Sequence, residues 1–297
     1  FEYLKGDILN LNITDLTYTT DVFSPSFGWI AKQSDGTMTN VNITTELNSM
    51  IKSDIYGSLV GSLRKGRIED CTVSGSVTAV HVVGGIAARI KTATINNCTV
   101  DLSICGHSGG LIVSECINSK IHACGSTGEV VCTQRSAGIA GIIYKELFPN
   151  STQSGSNLSK LKSNATIQSE ELSGGIIGVT KSEDTNVTSC HFDGVVTGSV
   201  SGGIVGKNMC TISNCITDAE ISGNSVAGGI CGLTLNDIKA CNTKGKVRSI
   251  DNKNFKKRGF GGVVGCVEDS ISIINCKNYS DIDIQSENIG GLVGSVS

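Results

Sequence analysis

The stretch that decides the fold is Gly202-Gly203-Ile204-Val205-Gly206. Close copies begin at Gly57 (GSLVG), Gly84 (GGIAA), Gly109 (GGLIV), Ala137 (AGIAG), Gly174 (GGIIG), Gly228 (GGICG), Gly261 (GGVVG) and Gly290 (GGLVG). A degenerate copy begins at Phe27 (FGWIA). Successive starts lie 30, 27, 25, 28, 37, 28, 26, 33 and 29 residues apart. Self-similarity at a period of ~20–50 residues is the signature of a repeat architecture, in which one unit cannot bury its apolar face alone.

Outward from the pentad, a second motif alternates with it: an aliphatic residue, two variable residues, then cysteine. It occurs at Ile68–Cys71, Ile95–Cys98, Ile121–Cys124, Val187–Cys190, Ile212–Cys215, Ile238–Cys241 and Ile273–Cys276. Leu161–Asn164 reads as the same unit with Asn in the cysteine place, and Met38–Val41 as a further copy. Six residues beyond each cysteine comes a β-branched column: Val77, Ile104, Val130, Val196, Ile221, Val247 and Ile282. Small residues dominate four places on, and polar ones three and five places on, as in Asp193, Asp218 and Lys244 or Glu220, Lys246 and Asp281. Period-two alternation is a strand with one buried face.

Each repeat therefore predicts three short strands. One carries I-x-x-C, one the alternating run, and one the glycine pentad, with turns at Ser, Thr, Asn, Asp and Gly. The expected fold is all-β: a parallel β-solenoid, or β-helix, of about ten coils of 25–30 residues. Neighbouring coils stack ~4.8 Å apart, giving a rod roughly 45 Å long. Parallel crossovers favour a right-handed winding.

Residues 1–50 read as an atypical N-terminal first coil or cap, because seven of the 13 aromatics lie before residue 60: Phe1, Tyr3, Tyr18, Phe23, Phe27, Trp29 and Tyr56. Residues 51–297 are the repeats proper, interrupted near 143–165 and 248–258 by segments expected to be extruded as surface loops. The chain opens at Phe1 and stops inside a repeat at Ser297, as expected of a piece of a longer protein with flanking domains.

Composition fits a thin solenoid. Hydrophobic residues make up 39% but aromatics only 4%, as a narrow aliphatic core requires. A net charge of −3 offers no basic stripe for nucleic acid. No apolar run reaches the length of a membrane span.

The pairing of G-G-[ILV]-[ILV]-G with an upstream I-x-N-C-x-x-x-G-x-V segment resembles the GLUG repeat family. The best local match runs from Ile212-Ser213-Asn214-Cys215 through Gly223 to Gly228-Gly229-Ile230-Cys231-Gly232. The resemblance covers essentially the whole chain. It implies a segment of a large secreted or cell-surface protein, either adhesin-like or part of an M26-type immunoglobulin A metallopeptidase whose zinc chemistry lies elsewhere. The cysteine richness and the two insertions depart from commoner members.

Catalytic motifs are missing. There is no H-E-x-x-H, G-x-S-x-G, P-loop or dinucleotide fingerprint, so no enzyme activity and no cofactor are expected. The weak catalytic candidates are Asp193 and Asp218, at equivalent places in adjacent coils and ~5 Å apart. Such a spacing suits a retaining glycosidase pair or a calcium site. Against this, Lys244 continues their column, and opposite charges across strands are ordinary sheet stabilisation. Seven cysteines form one ladder, Cys71, Cys98, Cys124, Cys190, Cys215, Cys241 and Cys276, expected as free buried thiols; a Cys105–Cys132 bridge between coils stays open. No C-x-x-C pair or histidine cluster marks a metal site, and the pairs His122/Cys124 and Cys190/His191 read as incidental. Eight N-x-[ST] sequons occur, at Asn12, Asn42, Asn97, Asn150, Asn157, Asn164, Asn186 and Asn278.

The reading is a rigid stalk or adhesin-like binding segment, taking a host protein or glycan through its loops. The alternatives are a polysaccharide-acting lyase or hydrolase, or an accessory region of an M26-like metallopeptidase.

Overall fold

The residue before the cysteine of each I-x-x-C unit makes a corner. Asn10, Asn40, Asp70, Asn97, Ala123, Lys160, Ser189, Asn214, Ala240 and Asn275 all take φ between 50° and 56°. A left-handed residue turns the chain sharply, and Asn or Asp tolerates it best because its short polar side chain bonds locally. This is the physical reason for the recurring N-C and D-C pairs. The structure, a computed structural model, describes residues 1–16, 24–46, 53–146, 155–250, 259–284 and 288–296. Among them there is no helix, and the strands stack in parallel as a β-solenoid of about 10 turns.

Beyond the corner the chain runs as one strand with alternating burial, as in Thr99–Gly110, Gly125–Ala137 and Ile216–Gly228. Its inward column is continuous: Val77, Ile104, Val130, Ile167, Val196, Ile221 and Val247 pair coil to coil. None of the seven exceeds 2% exposure, which places the β-branched column on the core side.

The register corrects three sequence readings. Leu158 pairs with Ile121 and Val187, so coil six carries Leu158–Leu161, not Leu161–Asn164, as its version of I-x-x-C. Leucine, not asparagine, fills the cysteine place, and it is fully buried. Gly110, not Gly109, pairs with Gly84 and Ala137, and Phe27 pairs with Tyr56, so the copies read from Gly109 and Phe27 begin one residue later. The pentad is also not a strand of its own. Its first residue ends one strand, its middle bends, and its fourth opens the next, as Val195–Gly202 and Val205–Asn208 flank the bend at Gly203-Ile204. Strands after the bend form an 11-stranded sheet, from Tyr3–Leu4 to Val293–Val296; the others belong to a 27-stranded sheet that wraps the rest of each coil.

Two pentad glycines are required by close approach. A Cβ on the second, Gly203, would lie 2.1 Å from the Gly229 oxygen and 2.7 Å from Thr217 Cγ2 of the next coil. On Gly175 it would lie 2.3 Å from the Phe192 ring. A Cβ on the fifth glycine would block the two arms flanking the pentad: 2.8 Å from the Ser173 oxygen at Gly206, and 2.8 Å from Val200 Cγ1 at Gly232. With glycine there, the arms close and leave a crease along the rod. Ile142, Val179, Val226, Leu233 and Cys266 pack in it, buried but separate from the main core.

Residues 1–16 and 24–46, in the stretch read as an atypical first coil, already follow the repeat register, with Ile8 opposite Met38 and Leu11 opposite Val41. Their aromatics cluster: Trp29 Nε1 donates to the Tyr56 hydroxyl at 3.0 Å, and Phe27 stacks on Tyr56 at 5.4 Å. Tyr18 and Phe23 lie outside the described residues. Parts of the segments read as insertions are repeat strands. Ile143 and Tyr144 complete Ala140–Tyr144, Asn157–Ser159 and Lys162–Ser163 are repeat strands, and Arg248 and Ser249 complete Asn242–Ser249. Residues 147–154 and 251–258, with sequon Asn150, lie outside the described residues.

Candidate functional site

Asp193 follows directly on the strand His191–Phe192, and Asp218 lies on the adjacent strand Ile216–Gly228, because Phe192 pairs with Thr217. Both are exposed. Their column continues as expected, with Asp218 opposite Lys244, and the neighbouring one runs Glu220, Lys246, Asp281. Arg248 Nη1 adds a contact to Glu220 at 3.7 Å. These are alternating-sign cross-strand pairs, each worth a fraction of a kcal/mol, roughly 0.2–1. Asp193 lines an open depression of about 280 Å³ over Gly125, with Lys162, Asn164 and His191 around it; Asp218 is not on its wall. Glycoside hydrolysis sets its two carboxyl groups on either side of the scissile bond. Here they lie side by side on one sheet face.

The cysteine ladder is bonded within each coil. Each thiol donates to the carbonyl two residues back, across the left-handed corner: Cys98 to Asn96 at 3.2 Å, Cys124 to His122 at 3.2 Å, Cys215 to Ser213 at 3.3 Å and Cys241 to Lys239 at 3.3 Å. The thiol also accepts from the neighbouring coil, as in Val41 N to Cys71 Sγ and Cys215 N to Cys241 Sγ, both 3.4 Å. A small apolar group with a weak donor is what this corner accommodates. All thirteen cysteines are free thiols; Cys105 is exposed and Cys132 buried. The hydrogen-bonded Cys98 thiol and burial push the Cys71 thiol up, and burial pushes Cys116, Cys132 and Cys210 up to about 12. These groups stay neutral, the reverse of what nucleophilic chemistry needs.

The histidines do not converge. His122 Nδ1 bonds Ser159 Oγ at 2.8 Å, His107 Nδ1 bonds Thr133 Oγ1 at 2.7 Å, and His81 lies 3.7 Å from Asp54. Among the described residues no three His, Cys, Asp or Glu side chains are grouped to hold a metal ion. No helix among them is long and apolar enough to cross a membrane.

One feature was invisible in the linear sequence. In the crease, a groove of about 570 Å³ opens between Arg135 and Leu172 on one arm and Val179, Lys181, Lys207 and Met209 on the other. Its residues come from four separate strands and the bends beside them, so no spacing rule links them. The one sequence signal is the fifth pentad glycine, which allows the arms to meet.

Residues 56–78 match the model described as the GLUG motif. The similarity is confined to this stretch. It holds one complete unit: the pentad from Gly57, the strand Val60–Arg64, the left-handed Asp70, Cys71 and the alternating strand Thr72–Thr78. A search of curated proteins finds no match. Among solved structures, one described as a "putative immunoglobulin A1 protease from Bacteroides ovatus" aligns at 15% identity over 93% of this chain and 79% of its own, with a TM-score of 0.37. So low a score carries no argument.

Proposed function

We propose that this GLUG-repeat chain is a non-enzymatic segment of a larger extracellular or cell-surface protein, serving as a rigid stalk that presents an adhesin-like binding surface. The observation that supports it is the coil-to-coil pairing of equivalent residues. Columns such as Val77 to Val247 and Gly57 to Gly290 continue from coil to coil across local register shifts at Gly106/Ser108 and Gly198/Val200, so backbone and core serve extension. A rod of this kind holds attached modules at a fixed separation and offers a periodic outer face. Its partners are a host protein or glycan and the flanking domains of the same polypeptide. The polysaccharide-enzyme alternative finds less support, because Asp193 and Asp218 do not face each other across a cleft.

The test is antibody raised against this chain and applied to intact, unpermeabilised source cells and to culture medium. Signal on the cells or in the medium is expected. Signal only after lysis would remove the extracellular reading. In parallel, release of reducing ends or unsaturated sugars from polysaccharides, lost in Asp193→Asn and Asp218→Asn, would replace the stalk with an enzyme.

A further inference from the structure

Among the described residues, one charged side chain of the column that lines the crease is left without an ion-pair partner. The residue after each pentad lines the crease, in the paired order Arg89, Glu115, Ile142, Val179, Lys207, Leu233, Cys266. Where a half-buried cation occurs early in this column, its carboxylate is beside it: Arg89 Nε lies 2.5 Å from Glu115 Oε2. Lys207 is also half-buried, but its column neighbours are Val179 and Leu233, and it makes no ion pair with any described residue. A half-buried lysine lays its stem along apolar neighbours and holds its charge at their edge, where an anion can meet it.

The surroundings of Lys207 supply the rest of a site. Val179, Leu172 and Met209 give an aliphatic floor, Val179 being 3% exposed. Arg135 and Lys181 stand on the rims, and neither forms an ion pair among the described residues; Arg135 Nε donates to Ser108 Oγ at 3.3 Å. Glu171 is the one acidic residue on the wall. Three cations against one carboxylate leave an excess of positive charge in a chain whose net charge is −3. The groove, about 570 Å³, falls within the ~300–1,000 Å³ typical of small-molecule sites.

We propose that this groove binds an amphipathic organic monoanion, a carboxylate joined to an aliphatic body, with the carboxylate on Lys207 and Arg135 and the body along Val179 and Leu172. Glu171 disfavours a dianion such as a phosphate monoester by repulsion. The absence of an aromatic side chain from the groove wall disfavours a neutral sugar, whose face stacks on rings. The inference does not rest on the stalk reading and stands or falls apart from it.

The probe is octanoate, titrated calorimetrically into the intact chain, with octanamide as its neutral counterpart. Saturable one-site binding of octanoate is expected, with octanamide at least tenfold weaker. Lys207→Met keeps the apolar stem and removes the charge; it is expected to weaken octanoate at least tenfold, as is Arg135→Gln, while Lys207→Arg stays close to the parent. Thermal melts of the variants verify that the fold persists. Absence of saturable binding, equal binding of octanamide, or parent-like affinity in both Lys207→Met and Arg135→Gln would each overturn the proposal.

Discussion

Ile221 and its neighbour Glu220 test the inward column at single-residue resolution. Ile221 is 2% exposed and sits between Val196 and Val247 of the adjacent coils. Ile221→Ala removes three carbons, worth ~0.8 kcal/mol each in lost burial, or about 2.4 kcal/mol. The cavity adds to this, because two stiff β-branched neighbours on a hydrogen-bonded ladder cannot collapse into it; a total of about 3–4 kcal/mol follows. Glu220→Ala removes an exposed side chain whose contact with Arg248 is 3.7 Å long, and its effect stays within ~0.5 kcal/mol. Urea unfolding followed by circular dichroism measures both. Each coil is held only by its neighbours, so the Ile221 lesion also broadens or splits the transition. Equal effects at the two positions, or a loss below ~1 kcal/mol at Ile221, would refute the assignment of faces.

Ala240 occupies the left-handed corner with φ 53°, where sister coils hold asparagine, so Ala240→Asn should stabilise by roughly 0.5–1 kcal/mol in the same urea assay. Gly203→Val drives a side chain into the Gly229 carbonyl and Thr217 and should cost more than about 3 kcal/mol, with loss of soluble protein as the simplest readout. The thiols of Cys116, Cys132 and Cys210 and the Tyr56 hydroxyl, all raised to about 12 chiefly by burial, make the rod sensitive to alkali. Their folded values lie above the unfolded ones, so their stabilisation is intact below about pH 9. It then erodes as the unfolded chain ionises first, each thiol costing ~1.4 kcal/mol per pH unit up to its folded value. Melting temperature should be flat to about pH 8.5 and fall steeply by pH 10.5; a flat profile over that range would contradict the burial of these groups.

Much of this was legible because a solenoid writes its register into the sequence. The column at Val77, Ile104 and Ile221 could be read because β-branched residues recur at a fixed distance from cysteine. What misled was local degeneracy. Gly109-Gly110 offers two starts for one pentad, and only pairing with Gly84 selects the second. Leu158 and Leu161 are both aliphatic and three residues apart, so the sequence alone allows the unit to start three residues late where cysteine is missing. The pentad looked like a strand because its aliphatic centre is apolar, whereas its glycines mark close approach at a bend. The groove was not legible at all: Arg135, Val179 and Lys207 are far apart in the chain and meet only because Gly206 and its equivalents let two arms close.

The most direct test of the central claim is methyl nuclear Overhauser spectroscopy on the chain labelled at Ile and Val. The account predicts an ordered series of contacts, Val77 to Ile104 to Val130 to Ile167 to Val196 to Ile221 to Val247, each residue seeing only its two neighbours in that column. Contacts that skip a coil, or Ile221 methyls that see neither Val196 nor Val247, would contradict it.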